Sequence, residues 1–297
     1  MSKQDAIKSI LDNIKSKYVL KIIFDHLKKK RLLKFTHYNK KYQNRLDITI
    51  DDYIKLLSKI VWVEIIPAKN KYGTIINIVN KEEKPYFHIY FNNLKKEINR
   101  NYITKNDNVK TIHVIINDSV KSFNDLFYLC DCIESINFKI FNIHDIKSMK
   151  YMFYGCSSLK ELDVSGVWAG QVTNMNGMFS GCKSLKKLNL SNFNIWNVTN
   201  MKNMFFECIS LEELDISNFD TSNVTDMSHM FSNCLKLKKL KIPYFITDSL
   251  LNKDYMFSQC SEEIKTKISS KMITNSLFSS LKIISFEFKP KNKFDNY

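Results

Sequence analysis

Six cysteines, Cys130, Cys156, Cys182, Cys208, Cys234 and Cys260, follow one another at intervals of 26 residues. A column of thiols suggests three kinds of chemistry: metal ligation, disulfide exchange or thiolate attack. Zinc sites take their ligands in pairs, as C-x₂-C or as Cys and His gathered into a tetrahedron, whereas each 26-residue unit here offers one thiol. Cys130 and Cys132 form the one close pair, and C-x-C alone specifies no site. The spacing therefore reads as a register mark of stacked units, each placing a small thiol in a crowded interior. The histidines His26, His37, His88, His113, His144 and His229 do not recur at that period. The chain contains no G-x-x-x-x-G-K-[ST], G-x-S-x-G, H-E-x-x-H or G-x-G-x-x-G, and has 6 glycines in 297 residues. The expectation is a protein that is not an enzyme and holds no metal or cofactor.

The units around the cysteines read MFYGCSSLKELDVSG from Met152, MFSGCKSLKKLNLSN from Met178, MFFECISLEELDISN from Met204 and MFSNCLKLKKLKIPY from Met230. In L-x-x-L-x-L the apolar places mark a short strand entered through a turn, its alternate side chains facing inward. The inward set is Leu159, Leu162 and Val164, then Leu185, Leu188 and Leu190, then Leu211, Leu214 and Ile216. The V-T-x-M-x-x-M-F half of each unit, as in Val172 to Phe179, has spacings of three and four that predict a helical or 3₁₀ turn on the opposite side. A degenerate copy ends at Cys130 with Ile133, Ile136 and Phe138 in the leucine places. A half-copy precedes it, with Ile112 and Val114 as strand and Val120, Phe123, Leu126 and Phe127 as turn. Tyr255, Met256, Phe257 and Cys260 open a unit that stops, as the end of a stack must differ from its middle.

These residues resemble the BspA-like leucine-rich repeats. Ile216-Ser217-Asn218-Phe219-Asp220-Thr221-Ser222-Asn223-Val224-Thr225 follows that family's L-S-x-F-[DN]-T-S-x-V-T frame, and Val167-Trp168-Ala169-Gly170-Gln171 departs from it. The resemblance covers roughly residues 109–262. It implies a leucine-rich-repeat solenoid whose exposed positions meet a partner. Those positions are Lys160, Glu161, Asp163, Lys186, Lys187, Asn189, Glu212, Glu213, Asp215, Lys238, Lys239 and Lys241. Neighbouring units present opposite charges there, so lateral pairing competes with partner recognition as the reason for the pattern.

Ahead of the repeats, residues 1–60 hold 15 Lys and Arg against 6 Asp and Glu, within a chain of net charge +15. Apolar residues at helical intervals between Asp5 and Gln43 predict two or three short helices. The run Val19-Leu20-Lys21-Ile22-Ile23-Phe24-Asp25-His26-Leu27, followed by Asn39-Lys40-Lys41-Tyr42, resembles an F-box. That resemblance implies a ubiquitin-ligase substrate receptor, with a Skp-type adaptor held by Val19, Leu20, Ile23, Phe24 and Leu27 and the substrate by the repeats, although the usual L-P is missing. The competing readings are a solvated basic cap and an anion-binding patch for nucleic acid or acidic lipid. Abundant Lys, Asn and Ile along the whole chain argue against nucleic acid.

Residues 61–66, 74–79, 86–91 and 111–116 read as strands bounded by Pro67, Gly73 and Pro85. The expected fold class is α+β, a solenoid of 26-residue coils with an N-terminal helical module and a small β cap. Its segments are 1–55 (helical), 56–108 (β cap), 109–262 (repeats) and 263–297 (C-terminal cap, with helices over 264–281 and a strand over 283–288). No apolar h-region follows the first lysines and no span of about 20 apolar residues occurs. The expectation is a monomeric, cytoplasmic chain with a protein partner, the alternative being an adhesin-like surface protein.

Overall fold

The computed structural model describes residues 59–92, 96–243 and 252–266. The helical module expected over 1–55 and most of the C-terminal cap lie outside them. The described residues are mostly β-sheet and turns. Their helix is confined to a 3₁₀ stretch, Lys81–Tyr86, and to residues 262–266.

Strand β1 (Ile60–Pro67) is apolar at nearly every position because both its faces and both its edges are covered. The next strands are β2 (Gly73–Thr74), β3 (Phe87–Phe91), β4 (Tyr102–Ile103), β5 (Ile112–Asn117) and β6 (Ile133–Phe141). β1 lies antiparallel between β5 and β6, while β3 pairs antiparallel with β5 and forms the edge. Of the run expected over 74–79, only Thr74 enters a strand, in the pair β2 with β4. Ile75 and Ile76 are fully buried, yet their amide and carbonyl neighbours bond irregularly, Ile75 N–H to Asn101 O and Asn77 N–H to Leu126 O.

At β6 the sheet turns from antiparallel to parallel. β7 (Glu161–Asp163) and β8 (Lys187–Asn189) add in register, Ser135 opposite Glu161 and Glu161 opposite Lys187. The partners stand 26 residues apart, so the sequence period is the ladder period. β9 (Glu213–Asp215) and β10 (Lys239–Lys241) form a separate parallel pair. On the other side of the stack the parallel bridges run unbroken through Ser148, Asn174, Asn200, Asp226 and Asn252. The half-copy expected at 112–127 is thereby divided. Its strand, β5, is antiparallel to β1, but its turn stacks with the repeats, Phe123 N–H donating to Ser148 O.

The turn side is not the helical or 3₁₀ turn expected from the Val and Met spacing. Met152, Tyr154 and Cys156 donate three residues back, while Met149, Tyr151, Phe153 and Gly155 donate to Asn174, Asn176, Met178 and Ser180 of the next unit. Every second amide thus leaves its own unit, giving overlapping β-turns cross-linked along the stack. Two columns of left-handed residues turn these amides outward. One is Tyr151, Gly177, Asn203, His229 and Tyr255, with φ of 56° to 59°; the other includes Leu129, Gly155, Gly181, Glu207, Asn233 and Gln259. A left-handed non-glycine residue costs roughly 1–2 kcal/mol, and the hydrogen bonds to the next unit offset it.

Inside, the columns are ladders of like residues. Phe127, Phe153, Phe179, Phe205, Phe231 and Phe257 stack ring on ring, with centroids 5.2 to 5.6 Å apart and planes within 10°. Met152, Met178, Met204 and Met230 fill the space beside them, all buried. The inward leucines divide. Leu162 and Leu214 are buried, but Leu188 and Leu240 are only half-buried, which corrects the expectation of equal burial for Leu188. Leu188 sits on β8, where the sheet ends.

Candidate functional site

The strand face carries the charged positions singled out in the sequence, and most of them engage one another. Lys160 pairs with Glu134 at 3.1 Å, Lys187 with Glu161 at 2.8 Å, Lys241 with Asp215 at 2.8 Å, and Lys239 with Glu213. Lys187 beside Glu161 holds that carboxyl below its ordinary range. Lys241, with the Ser217 hydroxyl, lowers Asp215 to about 2. Asp163, Asn189 and Asp215 also build the loop after each strand, their Oδ1 atoms accepting the N–H of Ser165, Ser191 and Ser217 at 2.9, 3.1 and 3.1 Å. Lys186, Glu212 and Lys238 are exposed and form no ion pair among the described residues. Exposed pairs contribute little after screening and side-chain entropy. Lys187→Ala is therefore expected to leave the urea midpoint unchanged within error, and a clear drop would show that the pair matters more than this geometry implies.

The thiol column is a structural device. Cys156, Cys182, Cys208, Cys234 and Cys260 each point the sulfur at a phenylalanine carbonyl 29 residues back, Phe127, Phe153, Phe179, Phe205 and Phe231, at 3.0 to 3.2 Å. Each carbonyl already accepts the amide of the cysteine in its own unit, so the thiol is its second donor. Burial pushes these thiols up, well above the ordinary value for Cys156, Cys182, Cys208 and Cys234, and to about 11 for Cys260. Since the thiolate is the reactive form, the column is chemically quiet. All seven cysteines are free and buried. Among the described residues no group of three or more His, Cys, Asp or Glu converges as a metal site. No helix among them is long and apolar enough to cross a membrane.

A cleft of 460 Å³ beside β3 is lined by Ile78, Lys84, Phe87, Ile98 and Arg100 among others. Arg100 is already clamped by Asp107 through two bonds of 2.9 and 2.5 Å.

The turn face was not anticipated from the sequence. Tyr128 and Tyr154 stack at 5.0 Å, Tyr151 meets Tyr154 edge-on at 5.3 Å, and the Lys150 ammonium lies 4.8 Å from the Tyr151 ring centre. Beside them Leu129 is 55% exposed. Glycine makes room for this cluster. A Cβ at Gly155 would come within 2.4 Å of the Leu129 side chain, and one at Gly177 within 2.4 Å of the Tyr151 ring. Further along, His229 stacks on Tyr255 at 5.0 Å, and burial lowers its pKa. The signal was present in M-F-x-x-C, whose variable places read Tyr-Gly, Ser-Gly, Phe-Glu and Ser-Asn.

Against known proteins, residues 88–197 match the BspA type leucine rich repeat region, in 6 copies. That stretch, over a third of the chain, is similar to BspA type leucine-rich repeats. Residues 147–272, overlapping that stretch, match a family described as Mycoplasma protein of unknown function, DUF285. No curated protein and no solved structure matches the chain. The BspA type match begins at β3, so it includes part of the antiparallel sheet that leads into the stack. Val19, Leu20, Ile23, Phe24 and Leu27 lie outside the described residues, and neither match reaches them.

Proposed function

We propose that this chain is a non-catalytic binding scaffold, a leucine-rich-repeat solenoid that holds a protein partner against its turn face. The observation that carries the reading is the cluster of Tyr128, Leu129, Tyr151 and Tyr154. Interior columns repeat because stacking needs them, whereas other units manage with Ser180 or Ser232 in the place of Tyr154. Tyrosine and tryptophan bring large contact area at small entropic cost and dominate protein interfaces. The strand face contributes through Lys186, Glu212 and Lys238, its remaining charges being engaged laterally. We place the chain in a reducing, cytoplasmic compartment, a reading supported by seven free cysteines; recovery of the chain outside intact cells would favour the adhesin-like alternative instead.

The test is affinity capture with mass spectrometry, using the full chain as bait beside Tyr128→Ser/Tyr154→Ser, which copies the serines of other units. A protein held by the parent and lost from the double variant is the expected result. Equal retention by both, with loss from Lys186→Glu/Lys238→Glu, would move the surface to the strands. A parent chain that retains nothing beyond an unrelated control would end the scaffold reading.

A further inference from the structure

The unit that departs from the repeat frame builds a second surface at the loop corner. His144, Gly170, Trp196 and Ser222 occupy one column, 26 residues apart. Gly170 leaves a gap there. Trp168 fills it from the neighbouring column: a Cβ on Gly170 would stand 2.6 Å from the Trp168 ring. The result is a ridge of three rings across three units, His144 to Trp168 at 5.6 Å and Trp168 to Trp196 at 5.9 Å, each pair near perpendicular. Trp196 is 43% exposed and is fixed in place, its indole N–H donating to Gly170 O at 2.8 Å. The Trp168 Nε1 is buried and has no partner. Stacking alone does not call for these tryptophans, since the next unit has Asp220 and Ser222 in their places.

The surroundings define what such a ridge can hold. Across residues 165–171, 191–197 and 217–223 the one charged side chain is Asp220, and in the His144 unit Lys147 donates to Gln171 Oε1 at 2.8 Å while Asp145 pairs with Lys121 at 3.7 Å. The Asp220 carboxylate is occupied, accepting the Ser222 N–H at 3.0 Å and hydroxyl at 2.6 Å. Around the two tryptophans the other polar side chains of these loops are amides and hydroxyls. Asn197 and Asn223 donate Nδ2 to Gly170 O and Trp196 O at 2.6 and 2.7 Å, which orients each amide and leaves its Oδ1 available. An anionic polymer would require a row of cations, and the one ammonium that reaches these loops among the described residues, Lys147, is bonded to Gln171 and lies at the edge away from Trp196 in the sequence. A neutral ligand with an apolar face and a rim of hydroxyls matches both halves, the face lying on the indole and the hydroxyls donating to the amide oxygens.

We propose that this corner, with Trp196 at its centre, binds a neutral oligosaccharide. The site is separate from the tyrosine face and from the charged strand face, so it stands or falls independently of the protein-partner reading. The experiment titrates the full chain with mannohexaose, cellohexaose, chitohexaose and, as the anionic arm, heparin, following intrinsic tryptophan fluorescence and confirming each affinity by calorimetry. Saturable binding of at least one neutral hexasaccharide is expected. Trp196→Ser, which copies Ser222, is expected to weaken it by about tenfold or more, the scale of a tryptophan anchor. Tyr128→Ser/Tyr154→Ser is expected to leave it unchanged. If Trp196→Ser does not fold, Trp196→His, which copies His144, reads the same loss. No binding of any of the three at millimolar concentration, binding of heparin alone, or equal affinity in the Trp196 variant would overturn the assignment.

Discussion

Raising the pH from about 8 to about 10.5 is expected to destabilise this protein progressively, because the fold holds its thiols protonated and the unfolded chain does not. Burial raises the pKa of each cysteine in the column, and Cys130 and Cys132 shift the same way, Cys132 to about 11. Below the unfolded value of roughly 8.5 both states keep the proton and the thiols add no pH dependence. Above it the unfolded chain releases protons that the folded chain retains. Stability then falls by up to about 1.4 kcal/mol per pH unit for each thiol, until the folded pKa is reached. All seven thiols are buried and shift the same way, so their losses act in one direction. Lysines and tyrosines titrate in the same range, so the decisive measurement is a slope. Urea-derived stability, taken at several pH values above 8.5, is expected to fall less steeply in Cys182→Ser/Cys208→Ser than in the parent, by up to about 1.4 kcal/mol per pH unit for each thiol removed. Equal slopes would mean that these sulfurs do not stay protonated in the fold.

That behaviour marks what the sequence could and could not disclose. The 26-residue spacing predicted the stacking register, because a parallel ladder converts a constant sequence offset directly into opposed residues such as Ser135, Glu161 and Lys187. It also predicted burial of the thiols. It could not show that each sulfur meets a phenylalanine carbonyl, since no residue type reports where a neighbour's backbone oxygen points. The turn side was misread because spacings of three and four suit a 3₁₀ turn and a run of β-turns alike. Glycine or asparagine at Gly155, Gly177, Gly181, Asn203 and Asn233 carried the distinction, being the residues that best tolerate the left-handed region. The strand face illustrates the opposite limit. Opposed charges at Glu161 and Lys187 were legible as a pattern, but only geometry shows them engaged with each other. The tyrosine cluster and the tryptophan ridge arise from several units at once, where side chains from one column lean over glycines of another. A reading taken one unit at a time passes over both.

Phe205→Ala is expected to be among the most damaging single substitutions in the chain, at about 3–5 kcal/mol. The side chain is fully buried and is clasped on both sides, its ring 5.5 Å from Phe179 and 5.4 Å from Phe231. Truncation removes the transfer energy of the ring and leaves a cavity that neighbours cannot collapse into, because Met204 and Cys208 hold backbone bonds to Met201 and Phe205. It also breaks two ring contacts, each contributing roughly 0.5–1.5 kcal/mol beyond burial. The loss should not stay local. In a stack each unit is stabilised through its neighbours, and Phe205 stands in the unit that joins β8 to β9, where the strand ladder is interrupted and the turn side carries the connection. Leu188 gives the contrast. It occupies an equivalent place to Leu214 in the repeat, yet it is half-buried where Leu214 is 3% exposed. Leu214→Ala is expected to cost about 2–5 kcal/mol and Leu188→Ala clearly less. Urea melts of the three variants measure the order directly. If Leu188→Ala matched Leu214→Ala, β8 would be covered in solution and the sheet would run on into β9. If Phe205→Ala cost no more than Leu188→Ala, the ring ladder would not be what holds the two halves of the stack together.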